Sequence, residues 1–218
     1  SFIYINLFIQ GMPSFLYENS KKNKFDWRKY ESILRFYLYK KIYPYADTLI
    51  TSTPSLKEKL HNLCHIPKSK MVVLPNGIIG DKVIENYDNY NYYCSDKINA
   101  SSFDIYYVGR LTKQKNVELL IKEFLNSDYK DSYKAKLHII GIGDFHSYFI
   151  RKYGNEESIK FYGFLNDPWQ IVPSSSIVIV PSLWDEPGHV PLEALSFGHR
   201  VFISSGCSLI DFISEVKN

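Results

Sequence analysis

Apolar residues along the 218-residue chain fall in short continuous blocks, and segments of helical period separate most of them. Residues 2–9 form the first block and read as a buried strand. Asp26 is placed to cap a helix on which Trp27, Tyr30, Leu34, Tyr37, Leu38 and Lys41 share one side, a mostly apolar stripe with basic flanks. Asp47 to Ser52 is a short strand, and Ser55 and Glu58 have the spacing of a capping box that opens the next helix. "KMVVLPNG" predicts a strand that ends in a turn at Asn76-Gly77. From Ile78 to Ser102 the chain is rich in Asn, Tyr and Asp without periodicity, which predicts an irregular stretch.

Beyond that stretch the pattern becomes regular. "FDIYYVG", "KLHIIG", "IKFYG", "SIVIV" and "RVFIS" read as strands. Between them lie a helix marked by Val117, Leu120, Ile121, Phe124 and Leu125, a helix near Phe145 to Lys152, a short helix capped by Asp167, and a helix from Pro191 to Phe197. Nearly continuous apolar strands alternating with helices predict an α/β fold with a doubly wound parallel sheet. Such sheets take ligands in the crevice at the carboxyl ends of their strands. Gly109-Arg110, Gly141-Ile142-Gly143, Gly163 and Trp184-Asp185 all fall there.

Composition narrows the function classes. The chain is 45% hydrophobic and 22% charged, ordinary for a globular protein, with an unusual 18 Tyr and 14 Phe. A net charge of +3 is too small to argue for a nucleic-acid partner. The charge is uneven: Lys21 to Lys41 holds six Lys and two Arg against Asp26 and Glu31. Three widely spaced cysteines argue against a disulfide framework and fit a reducing compartment. His61, Cys64 and His65 have no second ligand pair, so they read as solvent-facing helix residues rather than a metal cluster. No apolar run reaches membrane-spanning length, and the start lacks the basic segment of a signal peptide. A chain that begins at Ser1 and stops just after an apparent helix reads as a fragment of a longer protein.

The chemistry concentrates in two loops. "VGRLTKQKN" sets Gly109 at a strand end, then Arg110, then Lys115 before a helix. A planar fork and a point charge suit a diphosphate, and position after a parallel strand favours that role over solvated surface cations. "PSLWDEPGHVPLEALSFGHRVF" gathers Asp185, Glu186 and Glu193 around a Pro-Gly turn and a helix start, where anions are stabilised. Acids beside an anion seat suit a ligand with both hydroxyls and phosphate. "GIGDFH" lacks the third glycine of a dinucleotide fingerprint and is explained equally well by a tight turn. There is no P-loop and no D-x-D.

In order and spacing, "VGRLTKQKN", "LHIIGIGD", "IKFYGFLND" and "VPSLWDEPGHVPLEALSFGHRVFIS" resemble the retaining glycosyltransferases of family four, which have the GT-B fold of two Rossmann-like domains. The resemblance is strong over Met71 to Ser204. "YADTLITSTPSLKEKL" is similar to the end of that family's N-terminal domain. The resemblance implies an incomplete acceptor-side domain over residues 1–72 and a truncated donor domain over residues 73–218. It implies that Arg110 and Lys115 grip the donor diphosphate beside Gly109, and that Glu193 is the second acid of an E-x(7)-E motif and binds the ribose. Asp185 fits the place of the first acid by spacing and Glu186 by residue type, so both stay candidates, with spacing favouring Asp185. Backbone N–H groups of Gly188, His189 and Val190 would meet phosphate or sugar.

The function so implied is sugar transfer from a nucleotide sugar to the hydroxyl of a saccharide or lipid-linked saccharide, in cell-surface polysaccharide or lipopolysaccharide synthesis, with no metal or other cofactor. The expected place is the cytoplasm, peripherally on the inner face of the membrane. The basic, aromatic segment around Lys21 to Lys41 suits an anionic membrane surface, with a solvated charged face as the alternative. Two rivals remain: a catalytically silent sugar-nucleotide-binding subunit and a peripheral membrane-binding module. The segments missing from either end leave turnover by the fragment alone open.

Overall fold

The structure, a computed structural model, describes residues 6–9, 27–75, 104–173, 176–185 and 188–213. The predicted Asp26 cap, the Asn76-Gly77 turn, the irregular stretch 78–102 and Glu186 lie outside the described residues. The chain divides into two compact units, Ser1–Gly77 with Ser208–Asn218, and Ile78–Cys207.

The first unit holds a parallel sheet of β1 (Asn6–Ile9), β2 (Thr48–Thr51) and β3 (Met71–Val73) in that order. The crossovers carry α1 (Trp27–Ile42) and α2 (Pro54–Cys64), as parallel pairing demands. Leu49, Leu56, Leu60, Cys64, Ile66 and Met71 form its core. Three expectations are corrected here. On α1, Phe36, with Tyr43 just beyond, packs on this core, whereas Leu34, Tyr37 and Lys41 of the predicted stripe are exposed; the side chains of its Trp27, Tyr30 and Leu38 lie outside those described. The α2 cap is Thr53, whose hydroxyl oxygen accepts from Leu56 N–H at 3.1 Å, because Pro54 fixes the first helical position ahead of Ser55. Ser55 instead donates its N–H and hydroxyl to the Asp211 carboxylate, at 2.9 and 2.7 Å. Finally, Cys64 is buried rather than solvent-facing, and His61 spends Nδ1 on the carbonyl of Ile66 at 2.8 Å.

The second unit is built on five parallel strands: β4 (Ile105–Val108), β5 (Leu137–Ile140), β6 (Ile159–Gly163), β7 (Ile177–Val180) and β8 (Arg200–Ile203). Their order is β6-β5-β4-β7-β8. Side chains alternate between the two faces of each strand. Ile105, Tyr107, Leu137 and Ile139 pack under α3 (Val117–Asn126) and α5 (His146–Tyr153). Tyr106, Ile140 and Val178 face Trp169, Val172 and Ala194, the last on α6 (His189–Ser196). A sheet sandwiched in this way is doubly wound, as the strand pattern predicts. The short helix expected after Asp167 is only a 3-10 turn, Pro168–Gln170, and the Asp167 carboxylate accepts from the Gln170 side chain instead of capping. A short polar helix, α4 (Asp128–Tyr133), has no apolar period that the sequence would announce.

The winding reverses at β4. The chain runs outward through β5 and β6, then returns to place β7 on the other side of β4. The loops that leave β4 and β7 therefore flank a topological switch point, the part of such a sheet where ligands bind. Those are the Gly109–Lys115 loop and the loop of Trp184 and Asp185.

Candidate functional site

The β4 loop is held tightly against the β5 loop. Gly109 N–H donates to Ile140 O at 3.0 Å, Leu111 N–H to Ile142 O at 2.9 Å, and Phe145 N–H to Leu111 O at 3.0 Å. Such contact requires the two glycines of "GIG". A Cβ at Gly141, whose φ is +137°, would stand 1.9 Å from Gly109 O, and one at Gly143 would stand 2.6 Å from Leu111 O. These glycines serve backbone packing between neighbouring loops.

Past Leu111 a 3-10 turn, Lys113–Lys115, delivers Lys115 toward the β7 loop, and Asn116 in the left-handed conformation starts α3. Lys115 Nζ meets Asp185 Oδ2 at 2.5 Å, with the two side chains only 13% and 10% exposed. Ser182 Oγ donates to the same carboxylate oxygen at 3.3 Å. The backbone carries the same junction: Leu183 N–H donates to Gln114 O at 2.8 Å, and Gln114 Nε2 to Trp184 O at 2.9 Å. Asp185 N–H donates to Gly206 O at 3.0 Å. Two residues that sequence reasoning assigns to different tasks, cation and acid, are thus partners in one buried ion pair. Nothing in their separation of 70 residues announces it.

The start of α6 lies against that pair. Gly188 is its N-cap, and a Cβ there would meet Asp185 Oδ2 at 3.0 Å. As a glycine, this N-cap contributes no side-chain capping bond. His189 is exposed, Val190 half-buried and Gly188 buried. The helix starts two residues before the expected Pro191, which puts His189 and Val190 in its first turn. One turn on, Glu193 is half-buried, and its Oε2 accepts from Trp169 Nε1 at 3.2 Å. Trp169 is 9% exposed and stacks on Phe197 and on His199, each at 5.5 Å between centroids. Sequence reasoning missed Trp169; a lone Trp after Asp-Pro gives no hint of the helix it will touch.

Arg110, two residues past β4, is exposed, and its carbonyl accepts from the Tyr107 hydroxyl at 2.8 Å. Burial first, and then the Asp185 charge, hold the Tyr107 phenol far above the ordinary range, so it remains a donor. Tyr107 too was unforeseen as a polar participant, since it sits within an apolar strand. The structure therefore brings together Lys115, Asp185 and Gly188 at the α6 start, and sets Gly109 and Arg110 on the β4 loop that delivers Lys115. Among the described residues no three His, Cys, Asp or Glu side chains gather as a metal-binding group. No described helix is long and apolar enough to cross a membrane.

Comparison with known proteins agrees with this architecture. The family model described as glycosyl transferases group 1 matches residues 95–218. An uncharacterized glycosyltransferase of Methanocaldococcus jannaschii is 31% identical over 178 residues, which cover 78% of this chain and 45% of the relative. The N-acetylgalactosamine-N,N'-diacetylbacillosaminyl-diphospho-undecaprenol 4-alpha-N-acetylgalactosaminyltransferase of Campylobacter jejuni is 29% identical over 194 residues, 84% of this chain and 46% of the relative. This chain spans less than half the length of either. Among solved structures, HepE of Anabaena in complex with UDP and glucose superposes with a TM-score of 0.64 at 16% identity, covering 95% of this chain and 54% of HepE. WaaG, a glycosyltransferase involved in lipopolysaccharide biosynthesis, gives 0.59 at 18% identity, covering 78% of this chain and 47% of WaaG. The parallel-sheet α/β fold is that of GT-B glycosyltransferases.

Proposed function

The chain belongs to the glycosyl transferases group 1 family, and from that premise we propose that it carries the donor side of a retaining, family-four glycosyltransferase that uses a nucleotide sugar. The observation that supports this most is the cluster at the sheet's switch point. The Lys115–Asp185 pair and the start of α6 stand together where the strand order reverses, and Arg110 lies on the same β4 loop as Lys115.

In this reading Arg110 and Lys115 hold the diphosphate, and the amides of Gly188, His189 and Val190 meet phosphate or sugar oxygens. As the bond from the sugar's anomeric carbon to the diphosphate breaks, these groups stabilise the charge on the leaving group. The acceptor oxygen then bonds that carbon, and its proton passes to the departing diphosphate. Asp185 keeps Lys115 in register and presents carboxylate oxygen to sugar hydroxyls, and Glu193, steadied by Trp169, takes the ribose. Glu186 stays the alternative first acid. Cations and helix amides do the work a divalent metal does elsewhere, so no metal or other cofactor is assigned.

The acceptor we propose is a saccharide on a lipid carrier, in cell-surface glycan synthesis on the cytoplasmic face of the membrane. One relative is named for a diphospho-undecaprenol-linked acceptor. On α1, Ile33, Leu34 and Tyr37 are exposed alongside Lys40 and Lys41, a composition suited to an anionic lipid surface. Salt-sensitive sedimentation of the intact protein with anionic but not neutral vesicles checks that assignment; equal binding to both rejects it.

The test of the enzymatic reading is a panel of nucleotide sugars offered to the intact protein. Thermal stabilisation by a subset, followed by donor hydrolysis or transfer that survives EDTA, is expected. Stabilisation without turnover indicates a silent binding subunit, and strict dependence on added divalent metal rejects the metal-free mechanism.

A further inference from the structure

Tyr107 is the third residue of β4, 1% exposed, and its ring packs in the core beneath α3 and α5. A strand end buried on that face needs only an apolar ring. The hydroxyl is therefore an added polar atom in a dry place, and it costs stability unless it is satisfied. It is satisfied by one particular acceptor, the Arg110 carbonyl, at 2.8 Å. The same carbonyl also accepts from Thr112 N–H at 3.1 Å, so the peptide after Arg110 is fixed from two sides. Gly109 folds over the phenol with φ +148°, and a Cβ there would meet Oη at 3.0 Å. The turn that presents Arg110 is thus tied to this buried oxygen in addition to its backbone bonds with the β5 loop. Because burial and the nearby Asp185 charge disfavour the phenolate, this oxygen keeps its proton.

We infer that Tyr107 is a positioning residue for Arg110, fixing the backbone from which the guanidinium reaches the diphosphate of a bound nucleotide. The inference rests on the donor site proposed above. It differs from a packing role because it acts through one named cation and on one part of the ligand.

Tyr107→Phe keeps the ring and removes only the oxygen. Calorimetric titration of the intact protein, its Tyr107→Phe and Arg110→Ala variants and the double variant, with UDP, GDP and ADP and with uridine, guanosine and adenosine, tests it. For the diphosphate that binds, Tyr107→Phe is expected to weaken affinity by about five- to tenfold, the loss of one buried hydrogen bond. Affinity for the matching nucleoside is expected to stay unchanged, and the double variant to match Arg110→Ala alone. Equal losses for nucleoside and diphosphate, or additive losses in the double variant, overturn the positioning role. So does a weakened Arg110→Ala beside an unaffected Tyr107→Phe, and that result leaves the donor site standing. If the unmodified protein binds none of the three diphosphates, the donor site itself falls and this inference with it.

Discussion

Replacing Lys115 by Met removes an ammonium from a carboxylate side chain that is 10% exposed and keeps a side chain of similar length in its place. Asp185 then retains the Ser182 hydroxyl at 3.3 Å but loses its 2.5 Å partner. Breaking a buried pair from one side costs roughly 3–5 kcal/mol, because a desolvated charge is left behind. Because Asp185 keeps other partners, the Ser182 hydroxyl among them, the lower end applies, about 3 kcal/mol. For a chain of this size each kcal/mol moves the melting temperature by about 2–4 °C, so Lys115→Met should melt about 6–12 °C below the parent. Asp185→Asn added to Lys115→Met removes the stranded charge and should recover more than half of that loss. Urea denaturation of the four members of this cycle measures the coupling directly. A Lys115→Met loss under about 1 kcal/mol, or a double variant no more stable than the single, would refute the buried pair. The cycle also corrects how ligand binding should be tested. Lys115→Ala weakens diphosphate binding both by removing a cation and by releasing Asp185, so affinity should be read in the Lys115→Ala/Asp185→Asn background.

Three further outcomes are expected. Gly141→Ala sets a methyl 1.9 Å from Gly109 O at φ +137°, and should destabilise by about 3 kcal/mol in denaturant, whereas a neutral result would mean the two loops do not touch. Burial pushes the His199 imidazole from 6.5 down to about 4, and the ring is 5% exposed. The unfolded chain therefore takes up this proton first, so stability is complete above pH 6.5 and falls by about 3 kcal/mol as the pH drops to 4, a loss that His199→Phe should abolish. In transfer assays on the intact protein, Glu193→Gln should lower kcat/KM by about a hundredfold or more, and Asp185→Asn should hurt more than Glu186→Gln. Damage from Glu186→Gln alone would mean that the motif is shortened by one residue.

The doubly wound sheet was legible because it rests on local signals. Blocks such as "SIVIV" bury both faces of a strand, and the order of strands and helices allows few topologies. The placing of these loops at strand ends was legible for the same reason, since Gly109 and Asp185 each follow such a block. What the sequence hid depends on pairings between distant segments. The Lys115–Asp185 pair, the Trp169–Glu193 bond and the Ser55–Asp211 bond join residues 70, 24 and 156 positions apart. Composition cannot fix such registers. The Thr53 cap was missed because the capping-box spacing of Ser55 and Glu58 outweighed the adjacent Pro54, which sets the helix start more firmly. Tyr107 was read only as an apolar strand residue, and periodicity carries no sign of where a hydroxyl will point.

The central claim is that a nucleoside diphosphate sits at the β4–β7 switch point, between Arg110, Lys115 and the first turn of α6. A crystal structure of the intact protein bound to the nucleotide sugar that stabilises it best tests this most directly. Diphosphate oxygens are expected within hydrogen-bonding distance of Arg110, Lys115 and the amides of Gly188 to Val190, with a ribose hydroxyl on Glu193. A diphosphate bound elsewhere, with the Lys115–Asp185 pair untouched by ligand, would contradict it.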